Sequence, residues 1–353
     1  MQKKILEVRT PIVSAYPDLA HLFSILVDNK KCEKWIYNYF IQMEIYNTLY
    51  EETPRLDFYK PFLWESCPFI QQQIIEKVFL NRLDISVINF IEKSICDNEY
   101  ILIDIDHFEV KDSCFYKNKH VIHKVLIYGY DKEQKKLYIG DYFENYKYGF
   151  KEMNYRDFLK AYVSCEQYIA KDIESSIRKY GIRIIKTEFD NDYIFDWKFL
   201  KNSFIAYIQG TNLNKYYKIA NIANRDNWSN GIKTYNILKK YIEDLCKLEK
   251  SDYYPFRTFQ VLYEHKKLMY SRVIFLTNEK YITKEECVYD FEKIKVEAEK
   301  IRNLFLIYYL KPKKEYLIKV RKNLEILQNN EGKAIKKLCE NLNRYSKNID
   351  MLK

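Results

Sequence analysis

Glycine and proline are scarce, with seven of each in 353 residues. There is no low-complexity linker and no internal repeat, so any two parts of this chain are expected to pack together. No apolar run reaches the roughly 18 residues that span a membrane, so no membrane association is expected. Residues 1–13, MQKKILEVRTPIV, lack an apolar core and a small-residue cleavage site. No signal peptide is therefore expected, and the expected location is the cytoplasm. The eight cysteines form no C-x-x-C pair. That spread argues against a zinc site and, in the cytoplasm, against disulfides.

What is present is ample apolar and charged material. The chain is 47% hydrophobic and 31% charged, with 34 Tyr and 21 Phe carrying much of the apolar content. Heavy use of Lys, Ile, Asn and Tyr reflects AT-rich coding and says nothing of function. A chain of this length can bury a sizeable core, in one large domain or two smaller ones. Net charge is +10. Residues 291–353 hold 16 Lys and Arg against 8 Asp and Glu, which is most of it. Such a surface attracts acidic partners. No nucleic-acid recognition module accompanies it, so nucleic acid is not expected. An acidic carrier protein is another candidate, and solvated helix faces, the bland reading, rank ahead of either taken alone.

Along the chain, residues 1–190 alternate helix-like and strand-like segments. LAHLFSILV has helical spacing, with Asp18 as the expected N-cap and Leu19 and Ala20 in the first turn. Further helices are expected over 33–50, 69–80 and 84–96. Strands are expected over 100–106, 123–131, 136–143, 148–153 and 182–189, with a short helix after Asn154. Helices followed by an antiparallel sheet make an α+β pattern. From about Tyr193 onward the chain reads as all helical, with a capping box at Thr283–Glu286 and two basic helices last. Two domains follow, 1–190 and a helical 191–353, with the boundary near Asn191–Asp196.

The chemistry centres on HVIHKVLIYGYDKEQKKLYIGDYF, residues 120–143. It reads as a hairpin across the polar turn Lys132–Lys135. That pairing sets Asp141 close to opposite His123. A carboxylate there can accept the Nδ1 hydrogen, fix the tautomer and stabilise the imidazolium. His120 competes for the role from nearer the loop. A nucleophile is best activated at a helix N-terminus beside such a histidine. The one early segment that offers this, YPDLAHLFSIL, holds Ala20.

The order of an early helix N-terminus, then HxVxxYGYD, then GDYF resembles the papain-like fold of bacteriocin-processing cysteine peptidases. More closely it resembles the butirosin biosynthesis protein H family, many members of which sit beside nonribosomal peptide synthetase genes. ILIDIDHF, YRDFLKAY, NGIKTYNILKKYI and PFRTFQVLYEHKKLMYSRVIFL extend the likeness over most of the chain. The resemblance implies a papain-like catalytic domain with a C-terminal helical part. It also implies a cysteine at position 20, His123 as base and Asp141 as orienting acid. Papain-like enzymes place a glutamine six residues before the cysteine to stabilise the oxyanion, and here that position is Ser14. Backbone N–H groups at Leu19 and Ala20 would then carry more of the oxyanion hole.

Ala20 has three explanations. The nucleophile was replaced to trap or stabilise the protein; the chain is a naturally non-catalytic homologue; or the nucleophile lies elsewhere. Cys32, close to Lys30, Lys31 and Lys34, comes first among the last, and Cys114 lies in a loop with no helix dipole. Asp104 and Asp106 end a strand and could line the cleft to bind an amine. His21 is expected to point away, and Glu264 and His265 to be structural. The resemblance implies an acyltransferase that takes an acyl group from a carrier-protein thioester and passes it to an amine. It needs no cofactor beyond the phosphopantetheine carried by the acyl or peptidyl carrier protein. Hydrolysis by the same triad, as thioesterase or peptidase, is the alternative, and carrier recognition without chemistry is another.

Overall fold

A computed structural model describes residues 1–26, 29–46, 54–171, 181–213, 228–247, 256–283 and 285–351. The architecture is α+β, with an antiparallel sheet and a C-terminal helical part. The chain divides into two compact units, Met1–Cys32 with Phe62–Tyr193, and Glu33–Pro61 with Ile194–Lys353. The assignment of 33–61 to the second unit was not expected.

In the first unit the elements are β1 (Lys3–Ile5), α1 (Pro17–Leu26), β2 (Ile70–Glu76), α2 (Lys77–Arg82) and α3 (Val87–Cys96). Then come β3 (Glu99–Asp106), β4 (Ile122–Asp131), β5 (Lys136–Tyr142), β6 (Tyr148–Asn154), α4 (Tyr155–Lys171) and β7 (Gly181–Thr187). The sheet order is β2-β7-β3-β4-β5-β6, with β1 beside β4, and every pairing between described strands is antiparallel. Strand β3 is buried along nearly its whole length because helices cover it. Its Ile101, Ile103 and Ile105 pack with Val125 and Ile127 of β4, Ile91 of α3 and Phe158 of α4. Gly129 is glycine because β1 crosses there: a Cβ would stand 2.9 Å from the Lys4 carbonyl oxygen.

Residues 69–80, expected as a helix, are mostly strand β2. Ile70, Ile74 and Ile75 sit at helical spacing, but all seven residues of β2 pair with β7, and tertiary pairing overrides local pattern. Helix α3 starts at Val87 because the Ser86 side chain accepts the Asn89 N–H. In α1 the Ala20 N–H donates to the Tyr16 carbonyl at 3.0 Å. The N-cap position is thus Tyr16, and Asp18 lies inside the first turn rather than capping it.

The second unit is not all helical. Met43–Tyr46 pairs with Leu56–Phe58 and with Trp228–Asn230 in a three-stranded sheet. The helix expected over 33–50 is Lys30–Tyr39, and the strand follows it; residues 47–50 lie outside the described residues. The remaining helices are Trp197–Gln209, Thr234–Lys247, Phe256–Asn278, Glu285–Leu310 and Lys314–Met351. The two basic helices expected last are one helix of 38 residues. Lys284, inside the expected capping box, is not described; the helix begins at Glu285. Gly210, at φ 60°, ends its helix in the left-handed conformation that glycine adopts without strain.

A buried ion pair ties this second unit together. Lys266 Nζ stands 2.7 Å from Glu331 Oε1, and both side chains are fully buried. The Tyr235 hydroxyl donates to Glu331 at 2.7 Å, and Lys266 also donates to the Tyr207 hydroxyl at 3.0 Å. Burial pulls the Lys266 amine below its ordinary value, and Glu331 opposes that pull. Lys266→Met should destabilise the unit by roughly 3–5 kcal/mol, because Glu331 is left buried and unpaired. Lys266→Met with Glu331→Leu should recover most of that loss. Equilibrium denaturation of the two variants checks both expectations.

Candidate active site

The hairpin positions the central pair. Leu126 opposes Gly140 in β4–β5, so Asp141 falls against Val125 and diagonal to His123, on the same face. Asp141 is thus two residues from the position opposite His123. The side chains nevertheless meet: His123 Nδ1 lies 2.7 Å from Asp141 Oδ1 and 2.9 Å from Oδ2. The Tyr142 N–H donates to Oδ1 at 2.7 Å.

A third residue joins them that sequence reasoning missed. His107 follows β3, and its Nε2 lies 3.0 Å from Asp141 Oδ2. Its Nδ1 lies 3.0 Å from Ser113 Oγ, which in turn accepts the Phe115 N–H at 3.1 Å. The order Phe115 N–H to Ser113, Ser113 O–H to His107 and His107 Nε2–H to Asp141 satisfies every group, and it fixes His107 as the Nε2–H tautomer. The signal in the sequence was density: three of the chain's five histidines lie within 107–123, directly behind ILIDID.

Asp141 is wholly buried. Burial alone would raise its pKa. The charge of His123 and the hydrogen bonds from His107 and His123 outweigh burial and hold the carboxyl well below the usual carboxylate range. No lysine or arginine among the described residues pairs with it; its ionic partners are the two imidazoles. The donor atoms of His107, His123 and Asp141 all lie within 4.8 Å of one another.

His120 makes a separate pair with Asp106, Nδ1 to Oδ2 at 2.5 Å. Ser164 and the Phe108 N–H also donate to Asp106. Burial pushes the Asp106 pKa up, but these partners prevail and it lies below its ordinary value. The His120 ring is stacked between Phe108 and Tyr168. Asp104 is buried, and among the described residues its Oδ2 accepts no hydrogen bond. Burial raises its pKa despite Lys124 at 4.0 Å.

Ala20 sits elsewhere on the sheet. Alternation puts His123, Val125, Ile139 and Asp141 on the side that carries the α3 and α4 core. Ala20 is fully buried with Tyr142, Tyr148 and Phe150, which alternation sets on the other side. Tyr142 touches both: its ring stands edge-on to His123 at 5.6 Å. Its hydroxyl donates to the Ser14 carbonyl at 2.5 Å. Because the Ala20 N–H is spent on Tyr16, it is not an oxyanion donor; Leu19, one residue earlier, is a first-turn N–H. His21 is buried, with Nδ1 2.9 Å from the Tyr148 hydroxyl and Nε2 2.9 Å from the Lys124 carbonyl. Burial lowers its pKa and keeps it neutral.

Cys32 is fully buried and Cys114 is exposed in the loop after His107. Burial raises Cys67 to about 12 and Cys165 and Cys339 to about 11, the opposite of an activated nucleophile. His265 is buried in the second unit, with Nε2 2.8 Å from the Ile41 carbonyl, and Glu264 accepts from Gln260.

No protein-family model matches the chain, and no curated protein matches it.

Asp141 sets an acid limb of stability. Its folded pKa is depressed, so its contribution is present above the unfolded value of about 3.9 and is lost as pH falls below it. Denaturation midpoints between pH 7 and pH 3 should fall less steeply for Asp141→Asn than for the parent chain.

Proposed function

We propose that the first unit is the frame of a papain-like acyl-transfer site of thiotemplated biosynthesis. In it His123 is the base, Asp141 its orienting acid and position 20 the nucleophile's place. The observation that carries this is the contact of His123 Nδ1 with the buried Asp141 carboxylate. A base so held keeps one tautomer, as a general base in acyl transfer must.

With cysteine at 20, the thiol would attack the thioester carbonyl of an acyl group on a phosphopantetheine arm. Position 20 lies against Tyr142 and Tyr148 on the other side of the sheet, so those tyrosines must move before His123 takes the thiol proton and returns it to the departing pantetheine sulfur. An amine then attacks the acyl-S-enzyme, His123 accepts its proton, and the cysteine sulfur leaves and is reprotonated as the amide forms. Leu19 N–H and Ser14 are the supports left for the oxyanion. The resemblance includes the amide-forming enzyme of the closthioamide pathway, which joins carrier-bound acyl groups to a diamine. The excess of lysine and arginine over residues 291–353 suits an acidic acyl or peptidyl carrier protein. Water in place of the amine would make the same site a thioesterase or peptidase. No cofactor belongs to the protein itself in this scheme, and a cytoplasmic setting supplies its carrier.

Alanine at 20, sealed under Tyr142 and Tyr148, favours a second reading for the chain as it stands: carrier recognition without turnover. Ala20→Cys separates the two. The variant should gain one acyl adduct from an acyl-pantetheine thioester, mapped to position 20 by peptide mass spectrometry. Its formation should slow by about 100-fold or more when His123→Ala is added. Added amines should yield amide rather than free acid. A folded Ala20→Cys chain that takes no adduct, yet binds acyl-carrier protein, would leave only the second reading.

A further inference from the structure

We propose that His107, His123 and Asp141 form a binding site for a divalent transition metal of the zinc class. Two imidazoles and one carboxylate are the ligand set that such metals take when three protein atoms leave a position open. Their donor atoms lie within 4.8 Å of one another. A metal with bonds of about 2.0–2.2 Å needs its ligands within about 4 Å, so the two rings close slightly on it.

Each ligand is held from behind, as metal ligands are. Ser113 Oγ orients His107 through Nδ1, the Tyr142 N–H fixes Asp141 through Oδ1, and the Tyr142 ring abuts His123. Charge points the same way. Asp141 is wholly buried, and no lysine or arginine among the described residues pairs with it. A divalent cation held between the two rings and the carboxylate would match that buried acidic group with positive charge. Imidazole nitrogen selects zinc, cobalt, nickel or iron over calcium and magnesium, which take oxygen ligands.

The site does not depend on the acyl-transfer reading but sets a condition on it. A metal held by Nδ1 of His123 breaks the hydrogen bond that orients the base, so occupancy silences acyl transfer.

The test uses the metal-free full chain titrated with Co2+ alone. One equivalent should bind with visible d–d bands and no sulfur-to-cobalt charge transfer, and Zn2+ should bleach them. His107→Ala should weaken binding at least about tenfold, and Ser113→Ala by about tenfold, while His120→Ala and Cys114→Ser leave it unchanged. No stoichiometric binding, a sulfur charge-transfer band, or binding unaffected by both His107→Ala and Ser113→Ala overturns the site. If His107→Ala does not fold, the native spectrum and Ser113→Ala decide. In Ala20→Cys, Zn2+ should suppress thiol acylation. An Ala20→Cys chain inert with and without Zn2+, beside an intact cobalt spectrum, removes the acyl-transfer reading and keeps the metal site.

Discussion

The Asp141 carboxylate, buried at the end of its strand between two imidazoles, is the constraint on which the candidate site depends. A carboxylate shut away from water stays charged only if donors surround it, and here His107, His123 and the Tyr142 N–H do so. Those donors come from three places in the chain: the segment after β3, the start of β4 and the end of β5. One charge therefore ties the sheet's central strands to the loop behind them. Withdrawing any donor exposes the others to the cost of an under-satisfied buried ion.

Tyr142 links this cluster to α1. Its N–H serves Asp141, its ring meets His123, its hydroxyl holds the Ser14 carbonyl, and the same residue packs on Ala20. The entry to α1 is thus fixed relative to His123 through one residue, while position 20 lies a full turn inside the helix. Chemistry at position 20 needs the tyrosines over it to move aside; chemistry at the imidazoles does not. That asymmetry is why the metal-binding inference stands on the chain as it is, whereas acyl transfer waits on a thiol.

Much of this was legible in the sequence. HKVLIYGYD and KLYIGDYF announced a hairpin through β-branched and aromatic runs around a polar turn. Regular pairing from Asp131 and Lys136 would set Asp141 opposite Leu126, off the face of His123; the bulge between Ile127 and Gly129, invisible in the sequence, shifts the register by one and brings them onto one face. IQQQIIE was misread because its isoleucines fit a helix face until β7 claims its backbone. The strands at 43–46, 56–58 and 228–230 are three or four residues long, too short for a periodic signal, and meet only in the fold. His107 escaped notice because its partner Asp141 lies 34 residues away on the far side of a third strand. The cap was misplaced by two residues: with Tyr16 rather than Asp18 as cap, the Ala20 N–H enters the ladder.

The most direct test of the central claim is the protonation of the two imidazoles in the metal-free chain, read by long-range 1H–15N NMR with histidine labelled. The account expects His123 protonated at Nδ1 and His107 at Nε2, both N–H signals slow to exchange and both lost in Asp141→Ala. A His123 protonated at Nε2 alone, or N–H signals unchanged by Asp141→Ala, would contradict it.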